Sequence, residues 1–214
     1  MPEEKHLGRL VLVTGGARSG KSSFAERFVA SHGKKIAYIA TAQIFDDEMR
    51  YRVKLHRERR PSDWQTYEAP FAAENAIAEA AETHDTLLFD CLTVYLSNLL
   101  CQLPEEQLRD EAAVYRLAQD AAAKLIAAAQ ASGALCVFVT NEVGAGIVPE
   151  NALARLYRDI AGLTNQAFAR AAEAVYLTIS GIPVEIKHLA LRTSPSLSEG
   201  GGPRSGGGCG EGRS

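Results

Sequence analysis

The sequence has few cysteines and no long apolar run. Its four cysteines, at positions 91, 101, 136 and 209, include no Cys-x-x-Cys pair. This spacing favours neither a zinc site nor a disulfide framework, and we expect buried, reduced thiols at the first three positions. The charged N-terminus leads into an apolar run of four residues, 10–13, which is too short for a signal-peptide core or a membrane span. We therefore expect a cytoplasmic protein without a membrane span.

The sequence also lacks a strong excess of charge of either sign. Its 23 lysines and arginines stand against 26 aspartates and glutamates, for a formal net charge of −3. This balance excludes a general attraction to nucleic acid, so no nucleic-acid partner is expected and any phosphate binding must come from local clusters. The function must therefore be sought in individual motifs.

Apolar runs alternate with helical patterns over most of the 214 residues. The alternation predicts an α/β fold with a mostly parallel sheet flanked by helices, in one domain over residues 1–192. A strand at 183–188 follows its predecessor too closely for a crossover, so it is expected to form an antiparallel edge hairpin. Residues 193–214 are rich in glycine and serine and predict a disordered tail. The five strands expected in the parallel core are 10–14, 36–40, 86–90, 135–140 and 175–180.

A glycine-rich segment follows the first apolar strand and opens a helix. Its spacing, Gly-x-x-x-x-Gly-Lys-Ser, is that of a phosphate-binding loop, or P-loop, in which backbone N–H groups cradle the phosphates of a nucleotide. Lys21 is placed to reach the β- and γ-phosphates, and the Ser22 hydroxyl suits a Mg²⁺ ligand. The predicted nucleotide-binding residues here are Gly15, Gly16, Ala17, Arg18, Ser19, Gly20, Lys21 and Ser22.

A carboxylate is needed to complete the metal site, and it should lie at the carboxyl end of a strand neighbouring the P-loop strand. Asp90 ends the predicted strand 86–90 and fits this position, although such a residue also commonly caps the helix that follows. We therefore expect Mg²⁺, bound together with GTP or ATP, to contact Ser22 and Asp90, and we expect no permanently bound cofactor.

His56 lies among cationic side chains between positions 50 and 60. Such a stretch is usually a solvated helical face. Surrounding cations, however, disfavour the imidazolium form and grip a triphosphate, so a neutral His56 is also a plausible nucleophile. The residues alone leave both readings open.

Several motifs in order resemble one family. They are Val13 to Ser22, Tyr38-Ile39-Ala40-Thr41-Ala42-Gln43, Asp46 to Met49, His56 with Arg60-Pro61, Thr140 to Asn151, Arg158-Asp159-Ile160-Ala161-Gly162 and Ser180-Gly181-Ile182. Together they closely resemble the bifunctional adenosylcobinamide kinase/adenosylcobinamide-phosphate guanylyltransferase family of cobalamin biosynthesis, from about residue 10 to residue 187. The P-loop alone would not distinguish this family from other nucleotide-binding proteins.

The resemblance implies two successive reactions. The first phosphorylates the aminopropanol hydroxyl of adenosylcobinamide with ATP or GTP. The second transfers GMP from GTP to that phosphate, giving adenosylcobinamide-GDP through a guanylyl-histidine at His56. Further GTP contacts are implied at Ile39, Ala40, Thr41, Arg57, Glu58, Arg59, Arg60, Glu68 and Asp90.

The resemblance also implies a homotrimer and makes the corrinoid a substrate. Asn141 and Glu142 follow the predicted strand 135–140, where they are expected to bind substrate or to activate its hydroxyl, although residues at strand ends also serve as caps. Two alternatives remain open from the sequence. A single-activity small-molecule kinase would not need His56, and a noncatalytic nucleotide-sensing module would need neither reaction.

Overall fold

The described residues, 9–43 and 61–190 of a computed structural model, form a seven-stranded sheet with helices on both faces. The strand order is β3-β2-β4-β5-β1-β6-β7. All pairs are parallel except β6 with β7, which form an antiparallel edge hairpin. The predicted fold class is therefore confirmed. The strands are β1 Arg9–Gly15, β2 Ile36–Ala40, β3 Gln65–Glu68, β4 Thr86–Asp90, β5 Leu135–Val139, β6 Ala174–Ile179 and β7 Ile182–Glu185.

The central strands are nearly continuous apolar runs because helices cover both of their faces. In β1, the four residues of the apolar run are each at most 2% exposed, and all five residues of β5 are buried. Burial on both faces is the usual reason that parallel strands lack an alternating polar pattern. The five strands predicted for the parallel core are all present and all pair in parallel.

The helices divide between the two faces of the sheet. Helix α1, which follows the P-loop, packs through Ala25 and Val29 against Val11 and Val13 of β1. The opposite face is covered by α2, α3, α5 and α6, which share a second core. The helices are α1 Lys21–His32, α2 Ala73–Ala81, α3 Leu92–Cys101, α4 Glu105–Leu108, α5 Glu111–Ala131 and α6 Ala152–Ala171, and a 3-10 turn follows at Lys187–Leu189.

Three details differ from the sequence expectations. The edge strand β3 was not predicted, because its four residues are polar or partly exposed and lack an apolar run. The edge hairpin is confirmed, but β7 ends at Glu185 and the next residues form the 3-10 turn. Of the cysteines, Cys91 and Cys136 are buried as expected, whereas Cys101 is exposed at the end of α3.

Some expectations lie outside the described residues. These are the glycine-rich tail at 193–214 and the cationic segment that carries His56, Arg57, Glu58, Arg59 and Arg60. Within the described ranges, no helix combines the length and the apolar character that crossing a membrane requires.

Candidate active site

The P-loop forms a tight turn between the end of β1 and the start of α1. Gly20 has a left-handed backbone conformation, with φ of 91°, and its carbonyl accepts the first helical hydrogen bond from Phe24 at 2.9 Å. A Cβ at Gly20 would lie 3.1 Å from the Cα of Gly181. Glycine is therefore required here by both the backbone angle and the close approach of another chain segment.

That approaching segment is the turn of the β6–β7 hairpin. Ser180 and Gly181 both have positive φ, at 51° and 83°, as the favoured two-residue hairpin turns require. The N–H of Gly181 donates to the carbonyl of Ser19 at 2.8 Å. The turn of the predicted edge hairpin is thus hydrogen-bonded to the P-loop. Apart from the presence of Ser180-Gly181-Ile182 among the family motifs, nothing in the sequence indicated this contact.

Two polar side chains of the P-loop are buried. The Ser19 hydroxyl is buried and has no hydrogen-bond partner within the described residues. Lys21 is 8% exposed, and its Nζ donates to the carbonyl of Gly16 at 3.1 Å, across the loop. Burial lowers the pKa of Lys21, while the acidic groups of Cys91 and Asp90 oppose this shift. An unpartnered hydroxyl and a desolvated cation in one glycine-lined turn are the features of a site that accepts an anion.

Three of the predicted nucleotide contacts form one row at the carboxyl edge of the sheet. In the strand register, Ala40 of β2 is paired with Glu68 of β3 on one side and with Asp90 of β4 on the other. The Tyr38 hydroxyl donates to Asp90 Oδ2 at 2.9 Å. The three residues of the row span 50 positions of the sequence, from Ala40 to Asp90, and the parallel register brings them to the same edge.

Asp90 does not lie on a strand adjacent to the P-loop strand. The strand order inserts β5 between β4 and β1, so the expectation of a neighbouring strand was wrong. The position is nevertheless close enough for Asp90 to influence Lys21 electrostatically. Sequence order alone does not give spatial strand order, which is why β5 was not expected between them.

Ile39 and Thr41 are both completely buried. Ile39 packs in the core on the face of α2 and α5. The Thr41 hydroxyl accepts from the N–H of Cys91 at 2.8 Å, and Asn98 donates to the Thr41 carbonyl at 2.7 Å. These contacts hold the chain that leaves β2 against the chain that leaves β4.

Asn141 and Glu142 lie directly beside the P-loop, because β5 is the neighbour of β1. The Glu142 N–H donates to the Gly15 carbonyl at 3.2 Å. The Thr14 hydroxyl donates to Glu142 Oε1 at 2.7 Å. Glu142 is thus hydrogen-bonded to the end of the strand that leads into the P-loop.

Asn165 of α6 completes this network. Its Oδ1 accepts from the Thr140 hydroxyl at 2.7 Å, which leaves Nδ2 to donate to the Asn141 carbonyl at 3.1 Å and to Glu142 Oε1 at 3.3 Å. Asn165 is 8% exposed, whereas Glu142 is open to solvent. Glu142 Oε1 therefore has two donors, which fix the orientation of its carboxylate.

The Asn141 side chain is fixed separately. Its Nδ2 donates to the Thr93 hydroxyl at 2.6 Å, and the Tyr157 hydroxyl donates to the Thr93 carbonyl at 2.8 Å. Burial raises the pKa of Tyr157, so this phenol stays protonated as a donor. Thr14, Thr93 and Asn165 were not predicted as residues of the site. The available signal was Asn165, a polar residue on the buried stripe of α6.

Ser22 is the second residue of α1 and is partly buried beside Lys21. Among the described residues, no group of three or more His, Cys, Asp or Glu side chains forms a metal site. The oxygen donors of Ser22 and Asp90 suit Mg²⁺, which commonly takes few protein ligands and completes its shell with phosphate and water. These two residues are therefore compatible with a metal that binds together with a nucleotide.

Comparison with known proteins identifies relatives over most of the chain. The model of the family described as cobinamide kinase / cobinamide phosphate guanyltransferase matches residues 11–186. The bifunctional adenosylcobalamin biosynthesis protein CobU of Salmonella typhimurium is 47% identical over 183 residues, which are 83% of this chain and 99% of that protein. The protein of the same name from Escherichia coli is 45% identical over 181 residues, with the same shares covered.

A third relative has a different gene name and the same description. The bifunctional adenosylcobalamin biosynthesis protein CobP of Pseudomonas aeruginosa is 42% identical over 177 residues, which are 82% of this chain and 96% of that protein. The matched region includes the P-loop, the row at the sheet edge and the Glu142 network. The chain belongs to the cobinamide kinase / cobinamide phosphate guanyltransferase family.

Proposed function

We propose that this chain catalyses both reactions of its family, first phosphorylating adenosylcobinamide and then transferring GMP from GTP to the new phosphate. The observation that carries the proposal is the family match over residues 11–186, which spans the P-loop and the Glu142 network. The geometry of the described residues supports it, because an anion-accepting turn lies beside an oriented carboxylate.

In the first reaction, the P-loop binds the triphosphate through its backbone N–H groups and Lys21. The substrate hydroxyl attacks the γ-phosphorus, the bond from that phosphorus to the β–γ bridging oxygen breaks, and a nucleoside diphosphate leaves. Lys21 now donates to the Gly16 carbonyl, so its ammonium is already held over the loop. Most of the catalytic effect comes from positioning and from neutralising charge on the transferred group.

Ser22 and Asp90 would hold Mg²⁺ together with the nucleotide. When bound, this ion neutralises phosphate charge that develops in phosphoryl transfer. Tyr38 donates to Asp90 Oδ2, which restricts the carboxylate to one orientation.

Glu142 accepts the proton of the substrate hydroxyl. Its Oε1 is engaged by Thr14 and Asn165, so Oε2 is the oxygen available to the substrate. Asn141, held by Thr93, lies next to it and binds the substrate near its reacting end. A carboxylate oriented by two donors is suited to general base catalysis.

In the second reaction, His56 is the nucleophile. Its ring nitrogen attacks the α-phosphorus of GTP, the bond from that phosphorus to the α–β bridging oxygen breaks, and pyrophosphate leaves. The substrate phosphate then attacks the same phosphorus, the phosphorus–nitrogen bond breaks, and adenosylcobinamide-GDP forms. This divides one difficult transfer into two easier ones.

Further GTP contacts are proposed outside the P-loop. The row of Ala40, Glu68 and Asp90 lies at one edge of the sheet and supports contact with the rest of the nucleotide. Because the side chain of Ile39 is buried in the core and the Thr41 hydroxyl is engaged by Cys91, any contribution from these two residues is indirect. Arg57, Glu58, Arg59 and Arg60 are proposed to contact GTP beside His56.

We also propose that the chain forms a homotrimer, as its family resemblance implies. Apolar residues of the edge hairpin support self-association: Ile179 and Ile182 are 59% and 65% exposed. Light scattering of the purified protein tests this, and a mass of one chain at all concentrations would refute it.

The test of the proposed function uses GTP labelled at the α-phosphate. We expect acid-labile, alkali-stable label on the wild-type protein and none on His56→Asn. His32→Asn is the matched control, because His32 is exposed on α1, and it should label normally. Corrinoid phosphorylation without any protein label would indicate a single-activity kinase, and absence of both would indicate a nucleotide-sensing module.

A further inference from the structure

Arg158 is a partly buried side chain of α6, and one of its guanidinium nitrogens is fully buried. Its Nη1 is buried and has no hydrogen bond within the described part of the chain. The contrast with Arg155, one turn earlier, is clear: Arg155 Nη1 donates to the carbonyls of Pro149 and Glu150 at 3.0 and 2.5 Å. A charged donor that is removed from water without a partner costs free energy, and a bound anion would recover it.

The position of Arg158 follows from the direction of α6. This helix connects β5 to β6, which are both parallel to β1, so it runs opposite to the strands and begins at their carboxyl edge. Arg158 precedes Asn165 by seven residues, or two turns, on the same face of the helix, which is about 10 Å. Asn165 already contacts Glu142, so Arg158 lies beyond the edge of the sheet, over the mouth of the site.

A second contact locates the guanidinium at the turn that follows Glu142. Arg158 Nε lies 4.0 Å from the position that a Cβ on Gly144 would occupy. The guanidinium is thus adjacent to the chain that leaves the Glu142 network. The absence of a side chain at Gly144 leaves this approach open.

Lys21 and Arg158 reach the same edge from opposite faces of the sheet. Lys21 begins α1, which packs on one face, whereas the core residues of α6 pack on the other. Thr14 and Asn165 both donate to Glu142 Oε1, on the face of the sheet that α6 covers. Arg158 therefore lies on the same face as the carboxylate that we propose accepts the proton of the substrate hydroxyl.

We propose that Arg158 binds the phosphate monoester of the acceptor in the second reaction, an inference that rests on the proposed function. The first acceptor presents a neutral hydroxyl, which does not need a guanidinium, whereas the second presents a phosphate. A guanidinium offers two parallel N–H donors to a phosphate and is the side chain best matched to its geometry. Arg158 thus distinguishes the phosphorylated substrate from its precursor.

The test compares Arg158→Met, which keeps the aliphatic stem and removes the charge, with Arg158→Lys, which keeps a single charge. For guanylyl transfer, we expect Arg158→Met to raise the KM for adenosylcobinamide phosphate about 10- to 100-fold, and Arg158→Lys to raise it less. Protein labelling by GTP without acceptor, and the KM for adenosylcobinamide in the first reaction, should stay within about threefold, a margin equivalent to less than one hydrogen bond. The melting temperature of Arg158→Met should not fall, because the substitution keeps the aliphatic stem and removes a guanidinium with a buried, unpartnered Nη1.

Three results would overturn the proposal. The first is an unchanged KM for the phosphate acceptor. The second is a loss of protein labelling by GTP, which would assign the guanidinium to the nucleotide. The third is a lower melting temperature together with an equal loss of both reactions. Direct calorimetric titration of adenosylcobinamide phosphate into wild type and Arg158→Met keeps the test separate from the proposed function. If wild type forms no labelled protein, the guanylyl-transfer mechanism fails, and weaker binding by Arg158→Met would still support the phosphate contact.

Discussion

The Thr14 hydroxyl donates a 2.7 Å hydrogen bond to Glu142, although the two residues are 128 positions apart in the sequence. Thr14 is the residue before the first glycine of the P-loop, and Glu142 follows β5. The bond therefore couples the nucleotide-binding turn to the carboxylate that we propose activates the substrate. It also explains why Thr14, which is 4% exposed, is a polar residue in an otherwise apolar strand.

Glu142→Gln should separate the two reactions. The amide keeps the size of the side chain but is a poor base, so we expect kcat for adenosylcobinamide phosphorylation to fall about 10²- to 10⁴-fold. Protein labelling by α-labelled GTP should remain, because His56 does not need Glu142. Glu150→Gln, at an exposed position after the same strand, is the control and should leave both reactions unchanged. Equal loss of both reactions in Glu142→Gln would contradict the assigned role.

Gly20→Ala should weaken nucleotide binding and lower stability. A left-handed backbone costs a non-glycine residue about 1–2 kcal/mol, and the new Cβ would lie 3.1 Å from the Cα of Gly181. Urea denaturation and nucleotide titration measure the two effects. Gly162→Ala is the matched control, because a Cβ there meets nothing within 4 Å and should stabilise α6 by about 0.5–1 kcal/mol. If Gly20→Ala changed neither the stability nor the nucleotide binding, the turn would not need its observed conformation.

Glu185 links stability to pH at the end of the hairpin. Its carboxylate accepts from the His188 ring and from the backbone N–H groups of Val175, Lys187 and His188, and these contacts lower the pKa of Glu185 to about 2. A carboxyl group whose pKa is lowered by folding stabilises the protein at pH values above its pKa in the unfolded chain. This stabilisation is lost as the pH falls toward its pKa in the folded protein.

Glu185→Gln should therefore be less stable than wild type at pH 7. The difference in urea midpoint should shrink between the ordinary glutamate pKa of 4.5 and pH 2. Glu79→Gln, at an exposed position of α2, should show no such pH-dependent difference. A constant difference between Glu185→Gln and wild type over this range would exclude the ionised carboxylate as its cause.

The central parallel sheet was predictable because its strands are continuous apolar runs. The edge strand β3 was not, since Gln65–Glu68 has no such run and depends on pairing with β2. The helical periodicity of residues 105–131 predicts a single helix, but the chain forms two, because Asp110 accepts a hydrogen bond from the N–H of Ala113 and begins a new helix at Glu111. The periodicity of apolar residues reveals neither a capping residue inside a helical pattern nor a strand that forms by pairing at a sheet edge.

The motifs of the site could be predicted from the sequence, but the hydrogen bonds that connect them could not. The P-loop spacing gave the anion-binding turn, but sequence order concealed that β5 lies between Asp90 and the P-loop strand. The same insertion brings Glu142 beside Thr14 and makes Asn165 part of the site. These contacts depend on strand order and on the direction of α6, which a single sequence does not encode locally.

In the proposed mechanism, one P-loop holds the triphosphate for both attacks, and the Lys21→Met variant examines both at once. Phosphorylation of adenosylcobinamide and protein labelling by α-labelled GTP should be measured on the same preparation, with Lys34→Met, an exposed lysine after α1, as the control. We predict that both reactions fall together, each by at least about 100-fold, because both need the same triphosphate grip. Retention of either reaction at the wild-type rate would contradict the claim.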